Sequence, residues 1–252
     1  MVLCPIPAEA APANPATAWD VILYAQQRPA KAWWQIPQTD HALLAGDIAA
    51  HFDPSNEPRL DPDAVRAIAL HDAGWTPVDD ALLADHTRPR PLSFLDVPVL
   101  SMLAAWTGSI EAALSVGPIG GLMVAGHFLR LARSFADFHP TADAALVEVF
   151  IQREQQRRAE LLERQSRPLD EVEALVDALQ LCDLVSLYLC CGARQPVEFA
   201  PAPWPLRLSW DGDTAVLDPS PLARRIRLTV PAWRFPRPPG QSEQTRFTYD
   251  LR

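Results

Sequence analysis

Five ionisable side chains stand where a helical core would ordinarily place apolar ones. His41 falls on one face with Leu44, Ala45, Ile48 and Phe52. His71 follows Ala64, Ala67 and Ile68 at helical spacing, and Asp72 follows Val65, Ile68 and Ala69. Asp183 shares a face with Val176, Leu179 and Leu187, and Met123, Val124 and Leu131 surround His127 in the same way. Residues three and four apart lie on one side of an α-helix, so each of these groups points toward a core. A buried carboxylate is costly unless it is paired, protonated or bound to a cation. Two aspartates and three histidines converging on one cation would solve that problem jointly. A mixed nitrogen and oxygen donor set suits iron, manganese, zinc, cobalt or nickel better than calcium. The predicted ligands are His41, His71, Asp72 and Asp183, with His127 touching a metal or its substrate. Asp72 and His127 are the candidate catalytic groups. The competing reading is a closed polar network with no ion, because a lone core histidine is more often simply hydrogen-bonded.

The surrounding sequence limits the alternatives. The 252 residues carry a net charge of -9, whereas nucleic-acid binders more often present a basic face. Arg153, Arg157 and Arg158 form one small basic cluster. No run of 18 apolar residues exists and no secretory leader is legible, so neither membrane insertion nor export is expected, and the cytoplasm follows by default. Cys4, Cys182, Cys190 and Cys191 make no C-x-x-C pair and read as buried free thiols. Nucleotide-cradling glycine loops and a G-x-S-x-G elbow are both absent.

The pattern predicts a mainly α protein: a helical bundle, a short N-terminal β-hairpin and a small C-terminal antiparallel sheet. Residues 1–18 are expected as a Pro/Ala-rich mobile tail, 19–195 as the helical metal-binding domain and 196–252 as a β-rich subdomain. Val21–Tyr24 and Ala32–Ile36 are the proposed hairpin strands. Helices are expected from Asp40 to about Phe52 with Thr39 as cap, and from Asp61-Pro62 to about Ala73 with Gly74 as a left-handed cap. Further helices are expected over 96–114, 119–138, 141–165 and 170–191. The C-terminal strands are Leu206–Trp210, Thr214–Leu217, Arg225–Val230 and Phe247–Tyr249, with a turn at Asp211-Gly212-Asp213.

The order His41, then His71-Asp72, then a distant Asp183 resembles the HD superfamily of metal-dependent phosphohydrolases. In that superfamily the corresponding His, His-Asp and Asp residues bind metal inside a helical bundle. Gln38-Thr-Asp-His-Ala-Leu-Leu-Ala-Gly46, Ala69-Leu-His-Asp-Ala-Gly-Trp75 and Leu181-Cys-Asp-Leu-Val-Ser-Leu187 look more specifically like a bacterial family of unknown function. That family has Q-x-D-H, H-D-x-G-W and L-W-D-L-L-S-L motifs and a β-rich C-terminus. The likeness covers roughly residues 20 to 235 and brings no activity with it.

The resemblance to the HD superfamily implies a hydrolase of a small phosphate ester or nucleotide, using one or two divalent ions. Some HD-fold proteins instead use two irons to activate oxygen, which requires extra histidines such as His127. A third expectation is a non-enzymatic binding or regulatory protein, with Trp204, Trp210 and Trp233 on a ligand or partner surface. Lesser candidates are Trp75 as a pocket wall, Arg130 and Arg133 as phosphate ligands, and Asp79 or Asp80 as orienters of a ligand histidine. For these, core, surface and solvated-turn roles are the simpler readings. Asp40 reads as an N-terminal helix charge, His51 and His86 as surface or loop residues, and His139 as facing away from the core. Oligomeric state has no sequence signal.

Overall fold

The computed structural model describes residues 1–6, 17–56, 58–85, 87–138, 142–199, 205–236 and 244–252, the side chains of 135–138 and 142 excepted. Eight α-helices are defined among them: α1 Ala18–Gln27, α2 Gln38–Ala49, α3 Pro62–Leu70, α4 Thr76–Ala84, α5 Val99–Leu114, α6 Pro118–Phe138, α7 Ala142–Leu162 and α8 Leu169–Cys190. The strands are β1 Val2–Ile6, β2 Ala32–Ile36, β3 Val197–Phe199, β4 Leu206–Asp211, β5 Thr214–Asp218, β6 Ile226–Phe235 and β7 Gln244–Leu251.

Local chemistry explains several boundaries. Thr17 and Asp20 form a reciprocal capping box at the start of α1, each accepting the other's backbone N–H. Asp61 accepts from the Ala64 amide at 2.9 Å, and Pro62 fills the first helical position of α3. Gly212 takes a left-handed φ of 57° in the turn between β4 and β5, as the sequence anticipates. Strand β6 alternates cleanly: Ile226, Leu228, Val230 and Ala232 are buried, while Arg227 and Thr229 are exposed.

The sheet departs most from the sequence reading. All seven strands form one curled sheet in the order β1-β2-β6-β7-β5-β4-β3. It is mixed, because β5 runs parallel to β7 while the other pairs are antiparallel. The chain is therefore an α/β protein, not a mainly α bundle with a small antiparallel appendage. The pairing that overturns that reading is β2 with β6, Trp34 opposite Arg234. These segments are 200 positions apart, and no local periodicity reveals such a partner. The pairing also crosses the boundary expected at 195/196. Residues 2–6, expected within a tail, form the edge strand β1, and residues 7–16 lie outside the described residues. Val21–Tyr24 is part of α1, not a hairpin strand, and β1 is the true partner of β2. The 18–27 segment carries apolar residues at helical spacing and a strong cap, which outweigh its short β-like run.

Two helix ends also differ. α2 begins at Gln38 with Pro37 in the cap position, two residues before the expected start at Asp40 with its Thr39 cap. α3 stops at Leu70, and a 3-10 turn over Ala73–Trp75 follows. Gly74 has no positive φ; its role is close approach. A Cβ there would lie 2.1 Å from the Ala105 carbonyl oxygen and 2.4 Å from the Ser109 amide nitrogen on α5. The Gly74 amide also donates to Ser109 Oγ at 3.0 Å. Similarly, a Cβ on Gly46 would meet the Ala69 Cβ at 2.5 Å, so α2 and α3 nearly touch.

Helices α2, α3, α6 and α8 pack against one another around the middle of the fold, and the 3-10 turn leans on α5. Trp106 of α5 stacks on Phe128 of α6 at 5.0 Å between ring centroids, which fixes the rotation of α6. Among the described residues, no helix is long and apolar enough to cross a membrane.

The Gly74 contact generates a stability prediction. The Gly74→Ala variant forces backbone apart from backbone, so it should cost about 3 kcal/mol. Its thermal midpoint should fall by roughly 6–12 °C. Differential scanning calorimetry checks this, and an unchanged midpoint would show that the 3-10 turn can shift away from α5 freely.

Candidate metal centre

Four packed helices deliver the five ionisable groups singled out in the sequence to one place. His41 lies in the first half of α2, His71 at the C-terminal cap of α3 with Asp72 immediately after it, His127 in the middle of α6, and Asp183 in the second half of α8. His41 and His71 are fully buried, His127 is 2% exposed and Asp72 5%. Asp183 is the most open, its side chain 13% exposed.

The distances describe a ring of donors. His41 Nε2 is 2.9 Å from Asp72 Oδ2. Asp72 Oδ2 is 3.8 Å from His71 Nε2, which is 3.4 Å from Asp183 Oδ1. His41 Nδ1 is 3.8 Å from that same Asp183 oxygen. One ligand atom each from His41, His71 and Asp183 lie within 4.8 Å of one another. Donors held by one ion at about 2.1 Å sit roughly 3.0 Å apart at right angles and about 3.4 Å apart at the tetrahedral angle. The Nε2-to-carboxylate separations of 2.9, 3.4 and 3.8 Å are therefore close to the size of coordination edges, whereas His41 Nδ1 is engaged by Ser186 and faces Asp183 only as a neighbour.

The hydrogen bonds around this ring orient it. His71 Nδ1 donates to the Ile68 carbonyl at 2.8 Å, which leaves Nε2 facing the carboxylates. That Nε2 is buried and has no hydrogen-bond partner. An orphaned, inward-facing imidazole nitrogen beside two carboxylates is what a cation would satisfy. His41 Nδ1 lies 3.0 Å from Ser186 Oγ, and Ser186 donates to the Asp183 carbonyl at 2.8 Å.

His127 occupies the other side of Asp183, its Nε2 3.8 Å from Oδ2. Asp183 thus offers one oxygen to His71 and His41 and the second to His127. His127 Nδ1 is buried without a partner. Among the described residues, the group compatible with one ion comprises His41, His71 and Asp183; Asp72 adjoins it through His41, and His127 stands apart.

The electrostatics follow from burial and neighbours. Burial opposes charge on His71, but Asp72 and Asp183 outweigh it and hold the imidazole up at about 9. Burial would raise Asp183, yet His71, His127 and His41 hold its carboxyl down at about 2. At His127 burial prevails and pushes the pKa down to about 4, with nearby His71 and Arg130 adding to the effect against Asp183 and Asp72.

The lesser candidates resolve as follows. Asp79 is buried and orients no histidine. It accepts from the Gln38 and Thr39 amides at 2.7 and 3.3 Å and so caps the start of α2, and its other oxygen meets the Met1 amine at 3.2 Å. The solvated-turn reading of Asp79 is therefore corrected, while Asp80 is exposed. Asp40, at the same helix start, is pushed up to about 6 by burial and by Asp79. Arg130 is held by Glu173, Asp177 and Gln180, so its guanidinium bridges α6 to α8 and does not stand free for phosphate. Arg133 is exposed. Trp75 is a core residue with an unpartnered indole nitrogen. Trp210 and Trp233 are half-buried, Trp210 lying under the Arg194 guanidinium, and His51 donates to the Asp47 carbonyl at 2.8 Å. His86, His139 and Trp204 lie outside the described residues.

Ser186 is the site residue to which sequence reasoning gave no role. It was visible as a second polar residue one turn beyond Asp183 in an otherwise apolar run.

No curated protein and no solved structure matches this chain significantly. A profile of one family, described as a protein of unknown function (DUF3891), matches residues 25–236 and so spans all five clustered residues. The chain belongs to the DUF3891 family.

Proposed function

We propose that this protein holds a divalent transition-metal ion through His41, His71, Asp72 and Asp183, and that it hydrolyses a small phosphate ester or nucleotide. The observation that carries this reading is the set of coordination-length separations among buried donors, with His71 Nε2 orphaned among them. The hydrolase assignment rests on the likeness of the His, His-Asp and Asp order to the HD phosphohydrolases. A bound divalent ion supplies a water that ionises near neutral pH and a Lewis acid for a phosphoryl oxygen.

The residues divide the remaining work. His41 and His71 would contribute nitrogen donors, each held by a partner on Nδ1, and His71 would give up to the incoming ion the proton that Asp72 and Asp183 otherwise keep on it. Asp183 neutralises charge and spans toward His127. Asp72 stands at the edge of the donor ring, where its carboxylate can take a proton from an attacking water. His127, kept neutral by burial, can donate a hydrogen bond to a substrate oxygen or accept a proton from an attacking water.

A second reading is a di-iron oxygen-activating enzyme. It is favoured by one observation, the separate orientation of the two Asp183 oxygens toward His71 and His127. Such a bridging carboxylate is what two neighbouring ions would need.

Elemental mass spectrometry on tag-free protein tests the metal directly. The expected result is about one transition-metal ion per chain, lost in His71→Ala and Asp183→Ala with the fold retained. A wild-type protein that stays folded but takes up no zinc, manganese or iron would sink the reading and leave a polar network in a non-enzymatic protein. The His127→Ala variant separates the two chemistries. Hydrolysis predicts unchanged metal content and a loss of phosphatase turnover by about 10²–10⁴-fold. The di-iron reading predicts about two irons per wild-type chain, one of them lost in the variant together with oxygen uptake.

A further inference from the structure

Ser186 is fully buried and sits one helical turn beyond Asp183 on α8. Its hydroxyl meets two groups, the Asp183 carbonyl at 2.8 Å and His41 Nδ1 at 3.0 Å. A hydroxyl has one hydrogen, and a backbone carbonyl can only accept. Serines within helices commonly donate to the carbonyl one turn back, as here. With its hydrogen committed to Asp183, Ser186 Oγ is left as an acceptor, and His41 Nδ1 must carry the hydrogen between them. The reverse direction, Ser186 donating to Nδ1, would place the hydrogen of a neutral His41 on Nε2, against Asp72 Oδ2 at 2.9 Å. That arrangement closes the network and removes the lone pair from the donor ring.

The two directions therefore correspond to two different sites. One presents His41 Nε2 to a cation; the other is a self-satisfied cluster with no place for one. His71 meets the same choice through the Ile68 carbonyl, which cannot donate and so forces a hydrogen onto Nδ1. At His41 the corresponding partner is a side chain, so a single substitution can remove it.

We propose that Ser186 is a positioning residue for the cation site: it selects the His41 tautomer whose Nε2 is free to bind metal. Through the Asp-x-x-Ser spacing, α8 supplies both a ligand, Asp183, and the group that aims a second ligand on α2. This inference rests on the metal-binding reading above, and it concerns affinity and tautomer, not a reaction.

The test compares zinc affinity, by competition with a chromophoric chelator, among wild type, Ser186→Ala and Ser186→Thr. The alanine variant should bind zinc about 10–100-fold more weakly. The threonine variant, which keeps the hydroxyl, should restore binding. Nitrogen-15 histidine spectra of the zinc-loaded proteins supply a readout that a packing role would not move. A hydrogen-bonded Nδ1–H on His41 should be present in wild type and Ser186→Thr and lost in Ser186→Ala. Should the alanine variant fail to fold, Ser186→Cys keeps the shape with a weaker acceptor and should fall between the two. Wild type that takes up no zinc would overturn the metal reading itself. Wild type that binds zinc, with Ser186→Ala or Ser186→Cys binding as tightly and showing the same His41 signal, would overturn the role of Ser186 and leave the metal reading standing.

Discussion

A carboxylate placed among apolar helices has to find positive charge, and in this fold Asp183 is that carboxylate. It is flanked by valine and leucine at helical spacing on α8, with its side chain largely buried. Three imidazoles from three other helices close around it. The desolvation of such a group is offset only if the compensating groups are held at short range, so α2, α3 and α6 must all stop within a few ångströms of α8. The near-contact of Gly46 with Ala69 and the stacking of Trp106 on Phe128 hold them there. Even so, His71 Nε2 remains without a hydrogen bond and His127 Nδ1 without any partner. The protein thus pays the desolvation of two carboxylates and leaves nitrogen atoms unused, an arrangement compatible with a metal site.

The buried cluster was legible in the sequence because it obeys a local rule. A polar residue on an apolar helical face announces itself within a window of seven or eight positions, and His41, His71, Asp72, His127 and Asp183 all do so. Ser186 obeyed the same rule but carries no charge, so its burial implied no electrostatic problem and drew no role. Asp79 misled for a different reason. It lies two residues after a proline and precedes another aspartate, the composition of a solvated turn, yet its carboxylate is taken up by backbone amides at the start of α2. Only the arrival of α2 from 41 residues upstream makes that position a cap.

The sheet was misread because its decisive pairings are not local. Four of the five C-terminal strands alternate and were recognisable alone, as was Ala32–Ile36, while the three-residue β3 was too short to be read. What no periodicity contains is the partner: β2 pairs with β1 on one side and with β6 on the other. Register and neighbour are set by which faces can be buried together, a property of the assembled chain. The short apolar run at 21–24 fits a strand or a helix equally well in isolation, and the capping box at Thr17 and Asp20 decides for the helix.

That misread sheet bears directly on the site. Only Pro37 separates the end of β2 from the start of α2, so His41 stands five residues past a strand fixed between two neighbours. At the other end, α8 runs seven residues beyond Asp183 and then turns, through Gly192 at a left-handed φ of 69°, toward β3. β2 and β3 lie in the same sheet, separated by four strands. The elements that carry His41 and Asp183 are therefore both tethered to one hydrogen-bonded framework, at positions that the sheet's order dictates. A helical bundle alone could slide α2 against α8 by fractions of a turn. Anchoring both to the sheet removes that freedom, and the 3.0 Å contact between His41 and Ser186 depends on its removal. On this argument the sheet is the part of the protein that holds two helices in register, so that a hydrogen bond between them can choose how a histidine faces the donor ring.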